Sequence, residues 1–427
     1  MAKEGDVVVS KCMVSSPRGS LDLNHAYLSF RVYESILVQN NIVELDVLDT
    51  EDALGNLKFQ GDETIELSFN APGTPTINYI FSLDKVELID SGNSNNNSKQ
   101  YILHGVGKET MYSKSNYIQK SYNTDISSIV RDIHNTFLNS ANKLITEATD
   151  GIQKIIIPNM RPFDAIDLVR RRATSMTNLS STFLYFENAI GHNFKTIEGM
   201  LKSDVVKTFV RGNAINVSIY NNGWNNIIDY KVPKLVSSID RISLGSLTQR
   251  VGTFDIRTRT FDYKDQKMNI GNFNSDLFRS LYGITYGLFH LIPQNSLDNK
   301  TYIEKSTPQQ MAYLANITQT QITIKVYGDT TVKAGDAIQI NIPQPISTTS
   351  ESIPDPLISN KYLVTNLCRN VGKLGESPRY TEVLDCITDT QGQSDNNSNS
   401  GSTGDNTTTP STESVSTPTM VQGVTHN

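Results

Sequence analysis

The chain has 427 residues, with 38 Lys and Arg against 44 Asp and Glu, a net charge of −6 and a pI near 5.6. Its 37% hydrophobic and 19% charged residues exclude a disordered chain and suit a soluble protein. At about 100–200 residues per domain, the length allows two to four domains. The acidic balance disfavours tight sequence-independent nucleic-acid binding, which needs Lys and Arg against phosphates. It suits a surface that meets other proteins, or a pore wall past which DNA slides without sticking.

Residues Met1 to Asp6 lead into a strand-like Val7-Val8-Val9, not into an apolar helix with a cleavage site. No apolar run approaches the roughly 18 residues that span a bilayer, so no membrane insertion is expected. Cys12, Cys368 and Cys386 are odd in number and lack paired metal spacing, which predicts buried, idle thiols in a reducing compartment.

Residues 5–122 read as mostly β. The segments Tyr27–Ser35, Ile42–Leu48, Thr64–Phe69, Tyr79–Leu88 and Gln100–Val106 carry β-branched and aromatic residues between Gly, Asp, Asn and Pro turns. Asp90 to Ser98 is a polar hairpin loop. The period then becomes helical: Ile126, Ile129, Val130, Ile133 and Phe137 follow Thr124 as the expected N-cap. Gln153–Ile157 reads as a short strand stopped by Pro158. A second helix has Pro162 at its first position and Phe163, Ile166, Val169 and Ala173 on one side. A hairpin follows, from Phe183 to Asn188, through Gly191, and back along Phe194 to Ile197. Gly252 to Tyr263 reads as one alternating strand. Residues 264–305 are rich in Asn, Asp and Tyr and suggest an inserted lobe. A short helix at Thr307–Ala315, the strand Gln321–Val326 and a last β region to about Thr388 complete the folded part. Residues 391–427 are nearly all Gly, Ser, Thr, Asn, Asp, Gln and Pro, too polar to offset ordering entropy unless a partner binds them.

Two β regions share an order of features. Gly61-Asp62 precedes Ile65-Glu66-Leu67, then Tyr79-Ile80-Phe81, then Tyr101-Ile102-Leu103. Gly335-Asp336 precedes Ile338-Gln339-Ile340, then Tyr362-Leu363-Val364, then Tyr380 and Val383-Leu384. Such an echo points to a structural duplication, and two similar modules per chain let a trimer present six units to a sixfold partner.

No catalytic chemistry is legible. Gly105-Val-Gly-Lys-Glu-Thr110 looks like the end of a phosphate loop, but Ile102 replaces its first Gly and Glu109 stands where Ser or Thr must bind magnesium. No helix is evident after it, so it reads as a strand ending in a turn. The histidines (25, 104, 134, 192, 290, 426) have no ligand neighbour at i+2 to i+4, and Asp49 to Asn56 lacks the alternating ligands of a calcium loop. Arg170-Arg171-Arg172 fits a helix C-terminus better than an anchor for an acidic partner. Trp224 fits core packing at a turn better than an interface. No catalytic, cofactor-binding or metal-ligating residue is nominated.

The order of several segments carries a family resemblance. They are Tyr33-Glu34-Ser35, Leu45-Asp46-Val47, the Gln60-Gly61-Asp62-Glu63 turn, and Ser121-Tyr122 with the helix after it. The most specific are Ile157-Pro158-Asn159-Met160-Arg161-Pro162-Phe163 and Phe186-Glu187-Asn188 with Gly191, Phe194 and Ile197; Gly335-Asp336, Lys361-Tyr362-Leu363-Val364 and Tyr380 to Leu384 close the series. Over residues 5–388 the chain resembles the central baseplate hub proteins of T-even-type contractile phages. The resemblance implies an α+β, mostly β fold: two related tail-tube-like β-barrel domains with flanking helices and a smaller inserted domain, assembled as a trimeric ring. It places the first hub domain at 1–120, completed by about 208–250, and the second at 121–207, completed by about 318–388. Residues 251–317 form a peripheral lobe and 389–427 a tail. It implies a non-enzymatic adaptor in the virion tail, assembled in the host cytoplasm. Its partners would be a hexameric tail tube, a separate trimeric central spike and other baseplate proteins, with viral DNA or tape measure passing unbound through the lumen. A tail-tip protein of a non-contractile phage, and a tail-associated cell-wall hydrolase, are the alternative readings.

Overall fold

A computed structural model describes residues 3–388, apart from 51–54, 56, 90–97, 178–179, 213–222, 236–238, 240–247, 256–257, 268–287, 294–307, 309, 312–316, 318–319, 345–353 and 375–376. The opening region is a β unit of β1 (Val8–Ser16), β2 (Gly19–Asp22), β3 (Tyr27–Ser35), β4 (Ile42–Asp49), β5 (Thr64–Asn70), β6 (Ile77–Ile89) and β7 (Lys99–Gly107). Alternation explains it: along β5 every second side chain, Ile65, Leu67 and Phe69, is fully buried, and along β4 Val43, Leu45 and Val47 are. These residues share one core with Phe30, Phe81 and Leu103.

A mixed region follows. It contains α1 (Lys108–Ser115), β8 (Ile118–Thr124), α2 (Ile126–Asp132) with a wide π turn over Ile133–Phe137, β9 (Leu144–Thr146), β10 (Gln153–Met160), α3 (Pro162–Arg170), β11 (Phe183–Asn188), β12 (Gly191–Thr196) and α4 (Ile197–Lys202). The apolar positions expected on α2 and α3 are buried in a second core, Phe137 and Phe163 packing at its margin. Four expectations are corrected here or below. The cap of α2 is Asp125, not Thr124: its carboxylate accepts from the Ser128 N–H at 2.9 Å. Burial raises the Asp125 carboxyl, but hydrogen bonds from Ser127 and Ser128 outweigh it and hold the group down at about 2. Asp125→Ala should cost about 1 kcal/mol in urea unfolding at pH 7, while Asp125→Ser keeps most of it. Secondly, β10 does not stop at Pro158. It continues to Met160 through a register shift between Ile157 and Met160, which accommodates a residue that lacks an N–H.

The remaining strands are β13 (Val205–Val210), β14 (Ile227–Lys234), β15 (Thr248–Asp255), β16 (Thr260–Lys267), β17 (Leu288–Pro293), β18 (Thr320–Tyr327), β19 (Ala337–Asn341), β20 (Asn360–Leu374) and β21 (Ser377–Thr388). The third correction concerns Gly252 to Tyr263, which is not one strand. β15 and β16 fold back on each other, with Arg259 at φ +52° beside the turn, and with β17 they form a separate three-stranded sheet. The Asp90 loop, the acidic stretch after Thr50, most of the 264–305 lobe, the helix expected at 307–315 and the tail from 389 lie largely or wholly outside the described residues.

β14, β18, β21, β20, β3, β4, β7, β6, β5, β1 and β2 lie side by side in a 13-stranded sheet, completed by β19 on β20 and β13 on β19. Two strand sets are concatenated in it. The first runs β3-β4-β7-β6-β5-β1, and the second β14-β18-β21-β20-β19-β13. Numbering each set's own strands along the chain, both read 2-3-6-5-4-1. The sets differ in one pairing: β1 meets β5 antiparallel, whereas β13 meets β19 parallel. The stretch from about 208 to 250, expected to complete the first hub domain, contains the end of β13 and all of β14, which hydrogen-bond to β19 and β18. Both Gly-Asp turns introduce a three-strand meander, β5-β6-β7 or β19-β20-β21, and the glycines adopt the same left-handed backbone, φ +91° at Gly61 and +90° at Gly335. Side-chain carboxylates lock each turn: Glu63 accepts from the Gln60 and Gly61 N–H groups, and Asp336 from that of Lys333.

Candidate functional site

The two sets meet on β20. One edge of this 15-residue strand carries β21; the other carries β19 along Asn360–Leu363 and then β3 along Asn366–Gly372. The change of neighbour falls at a register shift between Val364 and Asn366, and the Thr365 carbonyl accepts from Ile36 beyond β3.

Arg369, fully buried, lies just past this shift. Its Nε donates to the Tyr79 hydroxyl (3.1 Å) and Glu34 Oε1 (3.4 Å) of the first set. Its Nη1 donates to Tyr380 (2.8 Å), Glu382 and the Asp329 carbonyl, and Nη2 to the Val332 carbonyl at 2.6 Å, all in or beside the second set. Glu34 also accepts from Tyr79 and from the Ala334 N–H. One guanidinium thereby bridges two buried carboxylates from different β units, while Oε2 of Glu382 stays buried without a hydrogen-bond partner. Burial, only partly offset by Arg369, pushes the Glu382 carboxyl up to about 7.

A second polar cluster ties the first β unit to the β11–β12 hairpin. Glu187 and His192 face each other across the hairpin, and the turn between them is held by Asn188 Oδ1, which accepts from the Ile190 N–H. Gly191, at φ +144°, is required there because a Cβ would meet the Lys143 carbonyl at 2.4 Å. Glu109 enters from the first turn of α1 and is 3% exposed. Asn40, between β3 and β4, donates through Nδ2 to Glu109 Oε2 (3.1 Å) and Glu187 Oε2 (3.0 Å) and lies 3.4 Å from His192 Nε2. A Cβ at Gly107 would come within 2.2 Å of that amide, so only glycine admits it. Asn41 N–H donates to Glu187 Oε2 at 3.0 Å, and Asn142 bridges Oε1 of Glu109 and of Glu187, 3.3 Å to each. Burial first, then the Glu109 charge, raises the Glu187 carboxyl to about 8. Burial pushes the His192 imidazole down to about 4.

This cluster escaped sequence reading, since Glu109, Glu187 and His192 come from separate segments. Among the described residues they form a group of possible metal ligands, with one donor atom from each within 4.8 Å of the others. Its only signal was Glu109 itself, out of place in the Gly105 to Thr110 motif. The fourth correction lies here: β7 does lead directly into a helix, α1. The carboxylate of Glu109 in its first turn is held by the side chains of Asn40, Ser140 and Asn142. The other singled-out residues behave as structure. Cys12 and Cys386 are buried and Cys368 half-buried, all as free thiols, and burial lifts the Cys12 thiol to about 12. Arg170 turns back to Asp167 and the Phe183 carbonyl, and Trp224 packs against the first core. No helix among the described residues is long and apolar enough to cross a membrane.

No protein-family model and no curated protein matches the chain. Among solved structures, it superposes on the tail protein from Neisseria meningitidis MC58 with a TM-score of 0.57 at 9% identity, over 89% of this chain and 96% of that one. It also superposes on the 43 kDa tail protein of prophage MuSo2 from Shewanella oneidensis, with a TM-score of 0.53 at 10% identity, over 89% and 98% of the two chains. The chain, mostly β and built on one large sheet that is antiparallel except where β13 joins β19, shares the fold of these two tail proteins.

Proposed function

We propose that this chain is a structural hub of a phage tail, a trimeric adaptor between a sixfold tail tube and a threefold central spike. The observation that carries the reading is the repeated 2-3-6-5-4-1 strand order, with both sets welded through β20 and Arg369. Three such chains offer six comparable β units to one partner and three whole subunits to another, which is how a ring converts one symmetry into another. The shared fold with two tail proteins supports it. The assignment is to a non-enzymatic component of the virion baseplate: its work rests on buried interchain area and ring geometry, and the net charge of −6 suits a lumen that DNA crosses without binding.

Native mass spectrometry and a cryo-EM map of the assembled tail test this. The expected species is a trimer of about 142 kDa, three times the chain mass, occupying a threefold ring beneath the tube. A monomer in solution together with no threefold ring in the map overturns the proposal.

A further inference from the structure

We infer that Glu109, Glu187, His192 and the side-chain oxygen of Asn40 form a divalent-cation site that clamps the first β unit to the β11–β12 hairpin. The inference concerns a binding site and is independent of the tail-hub reading.

The first argument is spacing. The Asn40 amide nitrogen stands 3.0, 3.1 and 3.4 Å from a donor atom of Glu187, Glu109 and His192. Around an ion with bonds near 2.1 Å, neighbouring ligands are roughly 3–3.4 Å apart; the three edges from Asn40 already have that length, and the Glu109, Glu187 and His192 atoms lie within 4.8 Å of one another. The nitrogen and oxygen of a carboxamide exchange by a half-turn that leaves its shape unchanged. As oriented, Asn40 Oδ1 is buried without a hydrogen-bond partner. Turned, that oxygen faces the two carboxylates and the imidazole, an arrangement that a cation stabilises and that would be repulsive without one.

The second argument is charge. Among the described residues no lysine or arginine hydrogen-bonds to Glu109 or Glu187, and two adjacent carboxylates so placed need a compensating positive group, which a cation would supply. Two carboxylates, an imidazole and an amide oxygen suit Zn²⁺ or Mn²⁺ better than a soft ion.

The test uses the tag-free, full-length chain, stripped with chelator and titrated with Zn²⁺, Mn²⁺ or Co²⁺. The expected result is one ion per chain by calorimetry, proton release near neutral pH and a raised Tm, with ligand-field absorption when the ion is Co²⁺. Glu187→Gln should weaken binding more than about 100-fold. Asn40→Asp separates the two readings by sign. With a cation site, the variant is less stable than wild type when metal-free, binds at least about tenfold more tightly, and is rescued by metal. If it is destabilised equally with and without metal, the inference fails. It fails also if no ion shifts the wild-type Tm at about 1 mM and Co²⁺ gives no ligand-field bands, an outcome that does not depend on whether the variants fold.

Discussion

Arg369→Met is expected to destabilise the chain by about 3–5 kcal/mol, the largest effect of any single substitution considered for this fold. Methionine fills much of the volume but donates nothing, leaving Glu34 and Glu382 buried without their cation, and the Asp329 and Val332 carbonyls without a donor. Removing one partner of a buried ionic network costs far more than the network contributes against an apolar replacement. The triple change Arg369→Met, Glu34→Gln, Glu382→Gln should therefore recover a substantial part of the loss. Urea unfolding checks both: a loss below about 1 kcal/mol for the single variant would mean that the network is not holding the two β units together.

The second expectation is a stability that depends on pH through Glu187. The folded chain keeps this carboxyl protonated up to about 8, whereas the unfolded chain releases the proton near 4.5. The folded state binds more protons across that window, so the contribution is complete below about 4.5 and is lost as pH rises through 8. Glutamine mimics the protonated acid and has nothing to release. With chelator present, Glu187→Gln should match wild type near pH 5 and exceed it at pH 8, by at most about 5 kcal/mol from the linkage relation. The full figure is not reached, because the outer edge of Glu187 meets water. His192 acts in the opposite direction. Its imidazole, held down to about 4 against 6.5 unfolded, takes stability away as pH falls from 6.5 through 4, and it is present in both proteins. Unfolding free energies of the two proteins that run parallel from pH 5 to pH 8 would refute the assignment.

What the sequence made legible was what burial makes periodic. Tyr27–Ser35 is a strand with those bounds, and Ile42, Thr64 and Pro162 open their elements where alternation or a proline at the first turn said they should. The misses share a physical cause. α1 buries Glu109 and Ser113, so it has no apolar stripe to read. The β15–β16 turn interrupts alternation without a glycine or proline, because Arg259 itself takes the left-handed conformation. β10 outlasts its proline by shifting register. The Gly-Asp echo was visible, yet the shared strand order behind it was not, since β20 meets β3 across most of the chain's length. Neither polar cluster could be foreseen, since Arg369 and Glu34, like Glu109 and Glu187, become neighbours only through the topology.

The sharing of β20 also orders events during synthesis. Ser35 meets Asn366, 331 residues later, so β3 waits through the synthesis of all the intervening chain for this neighbour. At roughly 5–20 residues per second, that interval is on the order of half a minute, during which the Ser29–Ser35 margin of β3 is an open template for foreign strands. A chain that ends prematurely never covers it. Once Asn366–Gly372 has been made, the chain seals its own seam, and a margin that could have joined a foreign strand is spent on an internal one.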